Sequence, residues 1–290
     1  KEFQLPDSLI KIGNGTFYSC KSLTSIVLPS NITLIGDNCF SLCTFLKSIN
    51  IPEKVTIIGN GTFASCESLS SIIIPRSVIS IGNFSFYSCS SLTSLIIPDS
   101  VTSIGDKSFE NCSLLRSIII SNSIKVISAF AFLDCRSLTS IVIPNGVTLI
   151  NTFAFAGCES LRSVIIPNSV KTIGILAFYQ CKSLPSIIIP DGVVSIKNYA
   201  FRECMSLTTI SFPDTLISVG DFAFEFCLSL RSVYISKSVK KIASDAFTHC
   251  EKLKTFDVSP ENEIYRSYNG ALYEKKDNRR ICGPFSRYRY

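Results

Sequence analysis

Apolar and polar positions along this chain repeat every 23 residues, and the period never slips. Phe17, Cys20 and Leu23 stand three residues apart; the same triplet returns at Phe40, Cys43 and Leu46, and on to Phe247, Cys250 and Leu253. After the leucine, exposed and inward positions alternate, with Ile26 and Leu28 inward, and a period of two is that of a β-strand. Pro29 then ends the strand and removes an N–H donor. A second apolar pair follows, Ile32 and Ile35, repeated as Val55 and Ile58, Val78 and Ile81, and Val101 and Ile104. Gly36 and its equivalents permit a turn with positive φ, and the Asn or Asp after it (Asn14, Asp37, Asn60, Asn83, Asp106, Asp221) favours a turn or a helix N-cap. A small residue, Phe and Cys at the spacing of Ala154, Phe155 and Cys158 predict one turn of α or 3₁₀ helix with Phe and Cys inward.

One such unit cannot bury its own apolar residues, whereas a stack of them can, so a fixed period of this length predicts a repeat solenoid. The expected architecture is a curved array of eleven repeats. A continuous parallel β-sheet should line its concave face, with short helical turns on the opposite side. At about 4.8 Å per strand the sheet would be on the order of 55 Å long. The solenoid is expected over residues 1–258 and a capping unit over 259–290. The repeats depart from their consensus at Ser121, Ser236 and Ser259 in the proline column, and at Ser128, Asn151, Lys197 and Ala243 in the glycine column.

Composition changes this picture little. The chain is 46% hydrophobic and 17% charged, which predicts a folded protein. Its net charge of +6 is scattered, with no long basic run before the C-terminus, and argues against a nucleic-acid partner. No window of 18 apolar residues predicts a membrane span. No apolar signal segment stands at Lys1-Glu2-Phe3, where the strand pattern of a repeat is already under way. Eleven of the thirteen cysteines form one column of the repeat, which reads as a ladder of buried thiols and not as a disulfide framework.

Candidate chemistry is sparse. The one histidine, His249, adjoins Cys250, but that cysteine belongs to the buried column and neighbours in sequence point apart. Cys39 and Cys43 are near enough to share a metal, yet no second pair completes a site. The glycines fall one per repeat and form no phosphate loop. The expectation is a non-enzyme with no catalytic residue, cofactor or metal.

The informative surface is the expected sheet face. Its exposed column carries Ile73, Ile96, Ile119, Val142, Ile165 and Ile188 in six consecutive repeats, with Tyr234 further on. A serine ladder runs beside it, and Arg116, Arg162 and Arg231, with Lys47 and Lys254, form a basic margin. Two explanations stand: such residues pave a flat sheet well, or the strip binds protein, another copy of the chain included. Five glycosylation sequons begin at Asn14, Asn31, Asn60, Asn83 and Asn111; chance explains them in a chain rich in these residues, and glycans there require a secreting eukaryotic source.

The unit Cys-x-x-Leu-x-x-Ile-x-Ile-Pro-x-x-Val-x-x-Ile-Gly-x-x-Ala-Phe-x-x-Cys resembles the BspA-like, or Treponema-type, leucine-rich repeats over residues 3 to about 258. Asn262, Tyr265, Asn269-Gly270-Ala271-Leu272-Tyr273, Lys275 to Cys282 and Pro284 are similar to the terminal hairpin unit of such proteins. The resemblance implies a surface-exposed or secreted protein of a host-associated microbe that attaches to extracellular-matrix or other host proteins. An intracellular structural scaffold with no host ligand is the alternative.

Overall fold

The computed structural model describes residues 5–283, and Pro284 of the expected capping unit lies outside them. Equivalent residues of successive repeats stack one coil above the next, in parallel and in register at i and i+23. The best-formed ladder is the second one of each repeat. Its two-residue strands run from Lys11–Ile12 through Leu34–Ile35, Ile57–Ile58 and Ser80–Ile81 to Ser103–Ile104. They resume as a six-stranded sheet from Val126–Ile127 to Lys241–Ile242. In each pair the first residue faces outward and the second is buried, so alternation alone orients the strand.

The first ladder, expected to be one continuous sheet, is broken into short pieces. Ser25–Ile26 pairs with Ser48–Ile49, Ser94–Ile96 with Ser117–Ile119, and Ser140–Val142 with Ser163–Ile165. Thr209–Ser211, Ser232–Ile235 and Thr255–Val258 form a last group of three. The coils at 71–73 and 186–188 pair with neither neighbour. Pro185 accounts for one break, because Arg162 gives its N–H to the Thr139 carbonyl at 2.8 Å whereas a proline has none to give to Arg162. Just before the other break, Asn50 turns its side chain back on the preceding coil, accepting from Leu28 N at 2.7 Å and donating to Leu28 O at 2.9 Å.

The Phe–Cys segment also differs from expectation: it contains no helix among the described residues. In each coil from that of Phe17 to that of Phe224 two residues have positive φ, one two positions before the core Phe and one two positions after it, as at Phe153 (54°) and Gly157 (69°) around Phe155. A left-handed residue every fourth position interrupts any right-handed helix. Backbone N–H groups instead alternate in direction. Phe153, Phe155 and Gly157 donate to Ile175, Ala177 and Tyr179 of the next coil, while Ala154, Ala156 and Cys158 close tight turns onto residues three back. Hydrogen bonding between coils thus wins over hydrogen bonding within a helix.

Two columns, of Phe and of Cys, run the length of the core beside its Leu, Ile and Val positions. Phe40 to Phe224 are fully buried in every coil, their rings stacked at spacings such as 5.2 Å (Phe132–Phe155) and 5.7 Å (Phe40–Phe63). Beside them each column cysteine from Cys43 to Cys250 donates its thiol to the carbonyl of the preceding coil's Phe, at 3.1 Å for Cys43 and 3.4 Å for Cys181. All thirteen cysteines are free thiols. Burial raises the pKa of the buried column thiols above the ordinary 9.0, to about 11 for Cys43 and about 12 for Cys112, with the backbone bond offsetting it in part. At neutral pH a thiol reagent should therefore react quickly with exposed Cys20 alone, slowly with half-buried Cys282, and with all thirteen only after unfolding. Fast reaction of three or more thiols in the folded chain would contradict the buried column.

Two further ladders join the coils from outside. In the N-terminal half, Asn14, Asp37, Asn60, Asn83 and Asp106 each accept the backbone N–H at the equivalent position of the next coil, at 2.8–3.0 Å. Where this ladder passes, a Cβ on the next coil's glycine would lie 2.5 Å from Asn14 N at Gly36 and from Asn83 N at Gly105. At the ladder's last rung, where Ala129 N meets Asp106, the glycine column admits Ser128, whose hydroxyl donates to the Ile104 carbonyl. Ser121 and Ser236, in the proline column, are likewise buried and donate to carbonyls of the preceding coil, Val101 at 2.6 Å and Pro213 at 2.8 Å.

At the C-terminal end Tyr265–Tyr268 and Ala271–Glu274 form an antiparallel hairpin through Asn269 and Gly270, both with positive φ, and Arg280–Cys282 adds a third strand. The hairpin stands in for a missing coil. Tyr265 Oη accepts the Ile242 N–H at 2.8 Å, and buried Asn262 donates to the Ser236 and Val239 carbonyls at 2.7 and 3.1 Å. Groups that a further coil would have satisfied are thereby paired.

Candidate protein-binding face

The column expected to be exposed on the first ladder is exposed. Ser25, Ile26, Val27 and Leu28 alternate out and in, and the outward position carries Ile73 (83% exposed), Ile96, Ile119, Val142, Ile165 and Ile188 (82%). The two most exposed isoleucines are those of the two coils whose first-ladder segments pair with neither neighbour. Tyr234 is 41% exposed in the same column. The serine ladder stands outward beside it, and Arg116, Arg162 and Arg231 are exposed in the margin.

Shallow depressions open along this strip at the first-ladder breaks and next to them. One of about 590 Å³ lies between the coils of Ile73 and Ile96, with Glu53, Arg76 and Pro98 on its rim. A second of about 520 Å³ continues it past Ile119 to Asp99 and Asn122. A third of about 380 Å³ lies at Ile188 with Asp191 and Pro213. The acidic residues Glu53, Asp99 and Asp191 occupy the position three residues after the strip, a second margin that sequence reasoning passed over. Its signal was there to find, since every coil repeats the position.

Also passed over is an outer column two residues before the core phenylalanines. Lys107 Nζ lies 5.5 Å from the Phe84 ring centroid and 4.9 Å from that of Phe130, and also 3.5 Å from the Glu110 carboxylate. Phe130 stacks on Phe153 at 4.9 Å and Tyr199 on Phe222 at 5.2 Å. Arg202 lies among the rings of Tyr179, Tyr199 and Phe226, with Nε 2.9 Å from Glu225. These contacts begin beside the Asn/Asp ladder at Phe84, Lys107 and Phe130 and extend coil-to-coil bonding into the C-terminal half.

The remaining candidates fall apart as chemistry. Cys250 donates to the Phe224 carbonyl at 3.1 Å and burial raises its pKa to about 12, so its thiol is committed to the core; His249 stacks on Phe226 at 4.5 Å. Cys39 and Cys43 are buried, and among the described residues no three His, Cys, Asp or Glu groups are placed to hold a metal ion. Among the described residues no helix is long and apolar enough to cross a membrane. Of the sequon asparagines, Asn14, Asn31, Asn60 and Asn83 are exposed and Asn111 is half-buried. None lies in the strip column.

The sequence profile of the BspA-type leucine-rich repeat region, in six copies, matches residues 1–114, 56–185 and 171–275. The chain belongs to this family. A leucine-rich repeat protein from Bacteroides ovatus is 27% identical and superposes with a TM-score of 0.58 over 88% of this chain and 84% of its own. One from Eubacterium ventriosum is 26% identical, with a TM-score of 0.53 over 70% of this chain and 64% of its own. The pneumococcal vaccine antigen PcpA, 20% identical, shares the fold with a TM-score of 0.52 over 88% of this chain and 67% of its own. No curated protein matches the sequence. Leucine-rich-repeat families of this kind are generally binding scaffolds.

Proposed function

We propose that this protein is a non-catalytic binding module, displayed at the cell surface or secreted, that attaches to extracellular or host proteins through the strip Ile73, Ile96, Ile119, Val142, Ile165, Ile188 and Tyr234. One observation carries the proposal: six consecutive coils leave a β-branched apolar side chain standing in solvent, in line and without interruption. Paving of a sheet explains such residues where neighbouring strands pair, but Ile73 and Ile188 are exposed on first-ladder segments that pair with neither neighbour. Contiguous apolar surface with a polar rim is the general form of a protein-binding patch. The surface location and the adhesive role rest on family membership.

The test is binding of residues 1–290 to immobilised extracellular-matrix and plasma proteins, beside the double variant Ile119→Asp/Ile165→Asp. Both side chains are outward, so the variant should keep its fold while a genuine partner loses at least about 30-fold in affinity, the scale of a central contact. Undiminished binding by the variant would remove the strip from the mechanism. Antibody staining of intact source cells tests location. Staining only after permeabilisation would favour an intracellular scaffold.

A further inference from the structure

Resting on that proposal, the two margins of the strip narrow down what docks there. Three residues before the strip, from the coil of Lys47 to that of Lys254, stand Lys47, Arg116, Arg162, Arg231 and Lys254, with no acidic residue among them. All five are exposed, and none makes an ion pair within the described residues. Three residues after the strip, in the same coils, stand Glu53, Asp99, Asp191 and Asp214, with Arg76 and Lys237 as the cations. Lys237 is already engaged by Asp214 at 3.5 Å and Glu261 at 3.4 Å. The apolar line therefore has an unneutralised positive bank and a mainly negative one.

Dimensions select the shape of the occupant. Ile73 to Ile188 spans five coil steps, about 24 Å at the spacing of paired strands. An α-helix advances about 5.4 Å per turn and measures about 10–12 Å across with its side chains. It would thus set down one apolar side chain per coil, drifting about 3 Å over the whole strip, which is less than one coil. Each margin lies three extended residues from the strip, about 10 Å, within reach of long side chains on the helix flanks.

We infer that the strip receives an amphipathic α-helix of a partner protein, about 16 residues long, whose apolar stripe has carboxylates on one flank and ammonium or guanidinium groups on the other. The carboxylate flank lies over Arg116 and Arg162, and the cationic flank over Asp99 and Asp191. An anionic membrane suits one bank only, because the acidic margin would repel it.

Three synthetic 18-residue helical peptides test this by fluorescence anisotropy against the whole chain. They share one leucine stripe and carry flanks of Glu and Lys, Glu and Glu, or Lys and Lys. The mixed peptide should bind at least about tenfold more tightly than either single-sign peptide, and its advantage should shrink in high salt, which screens exposed charges. In the variant Arg116→Glu/Arg162→Glu/Arg231→Glu the order should turn over in favour of the Lys/Lys peptide. Circular dichroism confirms that this variant folds, as substitutions at exposed, unpaired side chains allow. Equal affinity for all three peptides would overturn the charge inference while leaving an apolar binding strip intact. No binding by any of them would overturn the helical occupant, and the Ile119→Asp/Ile165→Asp experiment would then decide separately whether the strip binds protein at all. Binding to phosphatidylserine vesicles that the triple variant loses would assign the basic margin to a lipid surface and overturn it as well.

Discussion

Above pH 9 this fold should lose stability far more steeply than a protein of ordinary composition. Ten column thiols, Cys43 to Cys250, are buried, and burial raises their pKa, to about 11 at Cys43 and about 12 at Cys112, Cys204 and Cys250. In the unfolded chain they ionise near the ordinary 9.0. Between those values the unfolded state holds fewer protons than the folded one, so unfolding releases protons and stability falls as pH rises. Below pH 9 both states keep the proton and nothing changes. Each thiol contributes about 1.4 kcal/mol per pH unit in that window. Ten together approach about 14 kcal/mol per unit, comparable to the whole stability of a typical domain, about 5–15 kcal/mol. Denaturant midpoints followed by circular dichroism under reducing conditions should be level from about pH 7 to 8 and collapse between about pH 9.5 and 10.5. In Cys112→Ala/Cys135→Ala/Cys158→Ala the slope should fall by about 4 kcal/mol per unit, whatever that variant loses at neutral pH. A midpoint unchanged at pH 10 would mean that the thiols ionise in place.

Phe155→Ala should be the most damaging single truncation. The ring is fully buried and lies between Phe132 at 5.2 Å and Phe178 at 5.4 Å. Loss of a buried phenylalanine costs about 3–5 kcal/mol through transfer and cavity terms. In a solenoid each coil is held only by its neighbours, so the damage falls on one interface in mid-array. Thermal unfolding by calorimetry should change from one transition to two as the halves uncouple. Phe17→Ala is the control: this ring is half-buried and stacks on Phe40 at 5.2 Å, and its loss should cost less than half as much with a single transition kept. Equal costs at the two positions would show that the column does not couple the coils.

Much of this was legible in the chain alone. The period, the parallel stack, the inward Ile26 and Leu28, the outward strip and the free thiol column all follow from which positions recur as apolar and which alternate. Such facts concern one unit and its translation, and a strict repeat supplies both. Family membership was legible for the same reason, since the repeat unit is itself the family's mark.

Three features needed the folded coils. The Phe–Cys segment has helical spacing in sequence but no helix, because left-handed residues such as Phe153 and Gly157 turn alternate N–H groups toward the next coil, and local spacing does not record a competition with a neighbour 22 residues away. The interruptions of the first ladder depend on particular side chains, Pro185 by lacking a donor and Asn50 by turning back to Leu28. The depressions along the strip at Ile73, Ile96 and Ile188 became visible only once neighbouring coils were placed side by side. The sequence by itself determined the unit, its repetition and the apolar line. Tertiary structure decided how the coils bond to one another and where depressions open along that line, because both depend on contacts between coils and not on pattern within one.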